Sequence, residues 1–427
     1  MFFSLDVRRA RKGDCLILHY GTEEKPGLIL IDGGPDNVYQ PHLQPRLGEI
    51  RDARGLDPEK SLQVDLLMIS HVDDDHIAGI LELTKELVEA KEEDKPLPVR
   101  IKSFWHNTFD DIIGKDPKEL TAAVTAQFGP AALDGEPDTE GLDPDVAKVL
   151  AGIAQGIRLR DDVRNLKLPL NPEFDGGLVM ATEEGGSLDM GKGLTFTIAG
   201  PMKAELIALQ KAHDAWLKKQ EEEKKKKETL AAFSSQDTSV PNLSSLVILA
   251  EAGEGGDRKT MLLTGDARGD KILKGMELVG LLEPGGGMHV DILKMPHHGS
   301  DRNVRPDFFE RITADHYVFS GNGEHGNPDR ETLQMLLDAN GDAELTIHLT
   351  YPIDEIDVER EKDWIKQQNE EIKRKMKNPN VKVREDWSHE KNSLEAFFAT
   401  HTDFAKKVRI VEEDEPHVID LLDEIGF

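Results

Sequence analysis

Among 427 residues there is one cysteine, Cys15. No internal disulfide framework can form, and any metal site has to be built from His, Asp and Glu. A lone cysteine also fits a reducing compartment. Basic residues are scarce beside acidic ones: 53 Lys and Arg stand against 82 Asp and Glu, for a formal net charge of −29. General electrostatic attraction to nucleic acid or anionic lipid is therefore unfavourable, and an anionic substrate must find a locally positive site. Long apolar runs are missing too. Stretches such as LILI and LVILA have the length of buried strands, far short of the ~20 residues that cross a bilayer. The amino-terminal MFFSLDVRRARKGD alternates as a strand does and lacks the apolar stretch and small-residue cleavage site of a signal peptide. The expectation is a cytoplasmic protein without a membrane segment.

What is present is a globular composition, 38% hydrophobic and 32% charged, with enough chain for a sizeable core. Strand-like runs at 3–7, 15–20 and 28–31 are punctuated by Gly13-Asp14, Gly21 and Gly33-Gly34. Another run at 64–70 leads into a helical pattern carrying Ile77, Ile80, Leu81, Leu83 and Leu87. Residues from about 103 to 190 are rich in Gly, Pro and Asp and read as an insertion with a helical piece at 145–159. A second strand-rich section follows at 194–198, 246–250, 260–263, 290–295 and 316–319. It is interrupted at about 203–240 by a helical stretch ending in the charge blocks WLKKQEEEKKKKETL, which read as a solvated helix end. Two strand-rich halves with helices between them predict an α/β protein of two packed sheets and outer helices. Residues 1–352 form the expected main domain. Residues 353–427 form a charged helical extension, with an acidic tail whose Val418, Ile419, Leu421, Leu422, Ile425 and Phe427 are expected to dock on the body.

The densest chemistry lies in ISHVDDDHIAG, residues 69–79. His71, Asp73, Asp75 and His76 make the pattern H-x-D-x-D-H on a loop between a strand and a helix. Crowded carboxylates repel one another unless a cation sits among them. Alternate loop positions can point to one side and the adjacent Asp-His pair to another, so a short segment can hold two cations. His with Asp and no Cys suits zinc or a harder ion such as manganese. Asp74 is the member of the cluster expected to face solvent.

This loop resembles the signature H-x-H-x-D-H of the metallo-β-lactamase superfamily, with Asp73 where most members carry histidine. In that substitution it is similar to the soluble metallo-hydrolase domain of bacterial DNA-uptake channel (ComEC-type) proteins. The resemblance continues in chain order. RKGDCLILHY and LILIDGG match the first strands, where Asp32 supports the metal loop from behind. NLSSLVILAE places Asn242 near a vacated ligand position. MLLTGDA carries Asp266 at the place of a metal-bridging carboxylate, and LKMPHHGS supplies His297 and His298. FSGNGEHGNPDRETL resembles a closing Tyr-Gly-His-Pro motif, but with Asn327 at the histidine position and His325 two residues earlier, so the last ligand is either His325 or His297. The resemblance implies a metallo-β-lactamase-like αββα sandwich and two divalent metal ions, Zn or Mn, held by His71, Asp73, Asp75, His76, Asp266 and either His297 or His325.

The reaction implied is metal-assisted hydrolysis of a phosphodiester such as DNA, RNA or a nucleotide, with a bridging water activated between ions roughly 3.5–4 Å apart. Asp75, Asp266, His297 and His298 are the expected catalytic groups. Lys294, Arg302, Arg305 and Asn242 are expected to bind substrate, and Arg8, Arg9, Arg11 and Lys12 form a second basic patch. Two other readings stay open: hydrolysis of a small ester, lactone or amide, or a module of the same fold with weak or no catalysis, controlled by a partner at the insertions or the acidic tail. The isolated histidines His19, His106, His213, His289, His316 and His348 are read as structural. Oligomeric state is not legible.

Overall fold

The computed structural model describes residues 1–57, 59–108, 112, 144–207, 241–413 and 415–427. Most of both expected insertions, including the WLKKQEEEKKKKETL stretch, lies outside the described residues. One sheet is built from β1 (Phe2–Val7), β2 (Leu16–Gly21), β3 (Pro26–Ile31), β4 (Leu62–Met68), β5 (Val99–Trp105) and β14 (Val418–Asp420), in the order β14-β1-β2-β3-β4-β5. The other contains β6 (Ser187–Gly191), β7 (Leu194–Gly200), β8 (Val247–Ala252), β9 (Lys259–Leu263), β10 (Met288–Lys294), β11 (Ile312–Phe319), β12 (Thr346–Leu349) and β13 (Val408–Ile410), in the order β13-β12-β11-β10-β9-β8-β7-β6. Both sheets are mixed. β1, β2 and β3 run antiparallel before β3, β4 and β5 turn parallel, and β6 to β9 run antiparallel before β9 to β13 turn parallel.

Side-chain alternation shows how the sheets stack. In β3, Ile29 and Ile31 enter a core shared with Ile248, Ala250, Met261 and Leu263 of the other sheet. Their neighbours Leu28 and Leu30 point the opposite way, toward α1 (Gln44–Ala53), α2 (Asp74–Glu92) and α3 (Pro144–Leu166). In β8 and β9, Leu249 and Leu262 turn outward onto α4 (Gly269–Leu278), α5 (Pro306–Arg311), α6 (Arg330–Asn340), α7 (Ile353–Lys377) and α8 (Leu394–Thr400). Helices, sheet, sheet and helices therefore form four layers, the αββα arrangement expected. No helix among the described residues is long and apolar enough to cross a membrane.

Residues 353–427 run from α7 through short helices and then add one strand to each sheet. β13 pairs parallel with β12, and β14 pairs antiparallel with β1. The tail's apolar set is thus used on the body, with Ile419 buried between the sheets. Near this junction three imidazoles form a chain: His316 Nδ1 lies 3.0 Å from His348 Nε2, and His348 Nδ1 lies 2.8 Å from His417 Nε2.

Two tight approaches set the position of α2. Gly33 N–H donates to His76 O at 2.8 Å and Gly79 N–H to Gly34 O at 3.0 Å. A methyl group at Gly79 would lie 2.0 Å from the Gly33 carbonyl oxygen, which is backbone and cannot swing aside. Gly79→Ala is therefore expected to cost on the order of 1–3 kcal/mol, read as a lower urea midpoint. The imidazole chain gives a pH dependence. Burial first, then neighbouring positive charge, holds His348 well below the ordinary histidine range, and burial also lowers His316 and His417. The unfolded chain takes up these protons near pH ~6.5 while the native chain does not. Their contribution to stability is complete above that pH and is lost as pH falls below it. Urea midpoints at pH values above and below ~6.5 should show the decline, with a shallower slope in His348→Gln.

Candidate metal centre

The parallel halves of the two sheets aim their carboxyl-terminal ends at one another, and the loops at those ends carry the chemistry, as in open α/β sheets generally. Asp32 follows β3, the His71–His76 loop follows β4, Asp266 follows β9, and His297 and His298 follow β10. Asp14 joins them from the turn between β1 and β2. Backbone bonds lock the loops together, across the sheets where Leu246 N–H donates to Ser70 O at 2.9 Å and within one sheet where His297 N–H donates to Gly265 O at 3.1 Å. His297 and His298 occupy consecutive left-handed positions, φ 48° and 57°. Two β-carbon-bearing residues in that region store strain that a merely structural turn does not need, a pattern found at functional sites.

Asp266 is the centre of the geometry. Its Oδ1 lies 3.2 Å from His76 Nε2 and 3.3 Å from His298 Nε2, while its Oδ2 lies 3.5 Å from His297 Nε2 and 3.9 Å from His71 Nε2. Asp75 completes the Oδ1 side, 4.0 Å from His76 Nε2 and 3.9 Å from His298 Nε2. Two ligand atoms each ~2.1 Å from a tetrahedral ion are about 3.4 Å apart, so these separations fit donors around a shared cation. Among the described residues, the buried Nε2 atoms of His71, His76 and His298 and the buried Oδ1 of Asp266 find no hydrogen-bond partner. Buried polar atoms left in that state call for a partner. His71, His76 and Asp266 form one close donor group, and Asp75, His76 and His298 another.

Each imidazole is held from behind. Asp32, itself at φ 57°, accepts from Ser70 N–H at 2.7 Å and from Ser70 Oγ at 2.7 Å, and its Oδ2 lies 2.8 Å from His76 Nδ1. Ser70 Oγ also sits 3.1 Å from His71 Nδ1. Asp14 Oδ1 lies 3.4 Å from His298 Nδ1. These supports leave each Nε2 facing the centre. Protonation follows the charges. Burial opposes a charged His298, yet Asp266 and Asp14 raise it to about 9, and Asp266 and Asp32 likewise hold His76 well above the histidine range. His71 goes the other way, to about 4, pushed down by burial and then by His76. Asp266 lies well below the carboxylate range despite its burial because His297, His298 and His76 surround it.

The structure places the expected residues unevenly. His71, Asp75, His76 and Asp266 come together, with Asp32 behind them. Asp73 is buried but caps α2, accepting from Asp74 N–H at 2.9 Å, and lies outside the close donor groups. Asp74, expected to face solvent, is instead partly covered, pairing with Lys12 at 3.4 Å and accepting from Gln155 of α3 at 2.8 Å. His298 is the buried member of the HHGS pair, and the His297 side chain is 26% exposed. His325 is exposed and belongs to none of the close donor groups; Asn327 is buried beneath the pair and donates to His297 O at 3.4 Å. Lys294, expected to grip a phosphate, is buried and ion-paired with Asp14 because β10 carries it under the site rather than over it. Arg302 and Arg305 are exposed on the following loop. Asn242 meets His297, Nδ2 to Nδ1 at 3.1 Å. The second basic patch is largely neutralised: Arg8 and Arg9 are buried, and Arg11 pairs with Glu324 at 2.9 Å. Asp14 was missed, although RKGDCLILHY contains it; a Gly-Asp pair reads as turn punctuation.

The fold and site define an α/β sandwich with a buried His/carboxylate centre able to hold divalent metal. No family model matches the chain. Microtubule-associated protein 1A of Rattus norvegicus, Mus musculus and Homo sapiens is 33% identical to it over 88 residues, 20% of this chain. The chain spans about 3% of the length of these curated relatives. Among solved structures, MEM-A1, a subclass B3 metallo-beta-lactamase from a soil metagenome library, is similar over 70% of this chain and 79% of its own, at 15% identity and a TM-score of 0.27. Rm3 metallo-beta-lactamase is similar over 70% and 78%, at 14% identity and a TM-score of 0.27.

The carboxylate behind His76 is open to test. Asp32→Asn keeps the shape and removes the charge that holds this imidazole, so the metal dissociation constant is expected to rise roughly 10–100-fold. Competition with a chromophoric chelator measures this, with circular dichroism to show that the fold is retained.

Proposed function

We propose that the chain is a metal-dependent hydrolase that holds two divalent ions, zinc or manganese, and cleaves phosphodiesters such as those of DNA, RNA or nucleotides. The observation that carries this reading is the division of Asp266, one carboxylate oxygen toward His76 and His298 and the other toward His71 and His297. His71 and Asp266 Oδ2 would hold one ion, and Asp75, His76, His298 and Asp266 Oδ1 the other. Divalent ions there supply Lewis-acid charge and activate water near neutral pH.

The remaining groups have distinct work. His297 is the accessible histidine of its pair; its Nδ1 lies 3.1 Å from the Asn242 amide nitrogen, and its Nε2 faces the centre, 3.5 Å from Asp266 Oδ2. It is placed to give a proton to the leaving oxygen. Asp14 and Asp32 orient His298 and His76 and take no part in bond breaking. Lys294 compensates the buried charge of Asp14. Arg302 and Arg305, exposed beside the HHGS turn, offer the local positive charge that a phosphate substrate needs on a chain of net charge −29.

The test is turnover by stripped protein reloaded with manganese or zinc. Bis-p-nitrophenyl phosphate, single- and double-stranded DNA, RNA and p-nitrophenyl acetate are the substrates. Phosphodiester cleavage is expected, abolished in Asp266→Ala. His297→Gln should lower kcat by about 10²–10⁴-fold while metal content stays unchanged. Cleavage of the acetate alone would move the chemistry to carbonyl substrates. No turnover of any substrate by fully loaded protein would overturn the hydrolase reading.

A further inference from the structure

Helix α7 has two unlike faces. One is fastened to the body: Ile356, Asp357 and Arg360 are buried, and Arg360 Nε donates to Gly326 O at 3.0 Å. Further along, Arg384 stacks on the Trp364 ring at 4.9 Å and donates to Gln367 Oε1 at 2.6 Å and Glu371 Oε1 at 2.8 Å. At about 100° per residue, these positions fall on one side. On the other side Val358 is 51% exposed, Ile365 45%, Ile372 39% and Met376 81%. Four of the five large apolar side chains exposed among the described residues are therefore on this one helix. Val358, Ile365 and Ile372 repeat every seven residues, so they form a single stripe rather than scattered contacts.

The charges on the same helix are segregated. Residues 354–363 contain six acidic and two basic side chains, and residues 366–377 contain five basic and two acidic. Such a gradient suits the helix macrodipole in the first and last turns, but the macrodipole asks nothing of an apolar stripe on the outer face. A face that is apolar along its length, acidic at one end and basic at the other is complementary to itself turned end for end. Among the described residues Glu355, Glu361, Lys366, Lys373 and Lys375 make no ion pair within the chain, which leaves them for an external one.

We propose that α7 pairs antiparallel with α7 of a second copy of this chain, about a two-fold axis near Ile365. In this isologous arrangement Val358 of one copy meets Ile372 of the other, and Glu355 lies across from Lys373, which shares its flank of the stripe. The stripe from Val358 to Met376 is about 27 Å long and one side chain wide, so the dimer is narrow and depends on concentration and salt.

Sedimentation velocity of the full chain across a wide concentration range tests the pairing. Wild type should shift from monomer to dimer, and Ile365→Asp, at an exposed position, should weaken association at least ~10-fold with an unchanged melting curve. Glu355→Lys should weaken it, and adding Lys373→Glu should restore it. Ile365→Cys should form a disulfide-linked dimer on mild oxidation, since the natural Cys15 is buried. A wild type that stays monomeric throughout, a dimer indifferent to Ile365→Asp, or a failure of the charge swap to restore association would each overturn the proposal.

Discussion

Four carboxylates, those of Asp14, Asp32, Asp75 and Asp266, are buried together between the ends of two sheets, and the rest of the centre answers to that concentration of charge. Taking a carboxylate out of water is costly unless charge and hydrogen bonds compensate it. Among the described residues one lysine stands with them, Lys294, and it is committed to Asp14. The imidazoles of His76 and His298 take up protons to make good part of the deficit, yet among the described residues their Nε2 atoms and Asp266 Oδ1 find no hydrogen-bond partner. Divalent cations resolve both problems, supplying the missing charge and giving those atoms partners.

The fold is the device that brings these groups together. Each sheet is antiparallel over one half and parallel over the other, and the parallel halves put successive loops at a common edge. The β3 loop presses directly on the first turns of α2 through Gly33 and Gly79, so the helix that presents Asp75 and His76 cannot shift independently of Asp32. The carboxyl-terminal segment belongs to the same framework, since β13 and β14 each extend a sheet.

Much of this was legible because the strong signals are local. Strands such as 28–31 and 246–250 are continuous apolar runs, as strands buried on both faces must be, and H-x-D-x-D-H concentrates His71, Asp75 and His76 of the donor groups within six residues. The short edge strands were not legible: β13 and β14 have three residues each and lie among charged residues, so they exist by pairing rather than by pattern. Asp14 escaped notice because its role depends on His298 and Lys294, distant in sequence. The orientation of β10 buries Lys294 and separates His298 from His297, and nothing in LKMPHHGS discloses it. The Val358, Ile365 and Ile372 stripe did not stand out in a segment that reads as a charged helix, because its exposure depends on the opposite face of α7 being occupied.

The central claim is that the buried carboxylates are organised around cations. Anomalous diffraction at the manganese or zinc edge, from crystals grown with that metal, tests it most directly. The account predicts two anomalous peaks, one beside His71 Nε2 and Asp266 Oδ2, the other among Asp75, His76, His298 and Asp266 Oδ1. A map with no peak at this cluster, from protein whose His and Asp side chains stand as described, would contradict it.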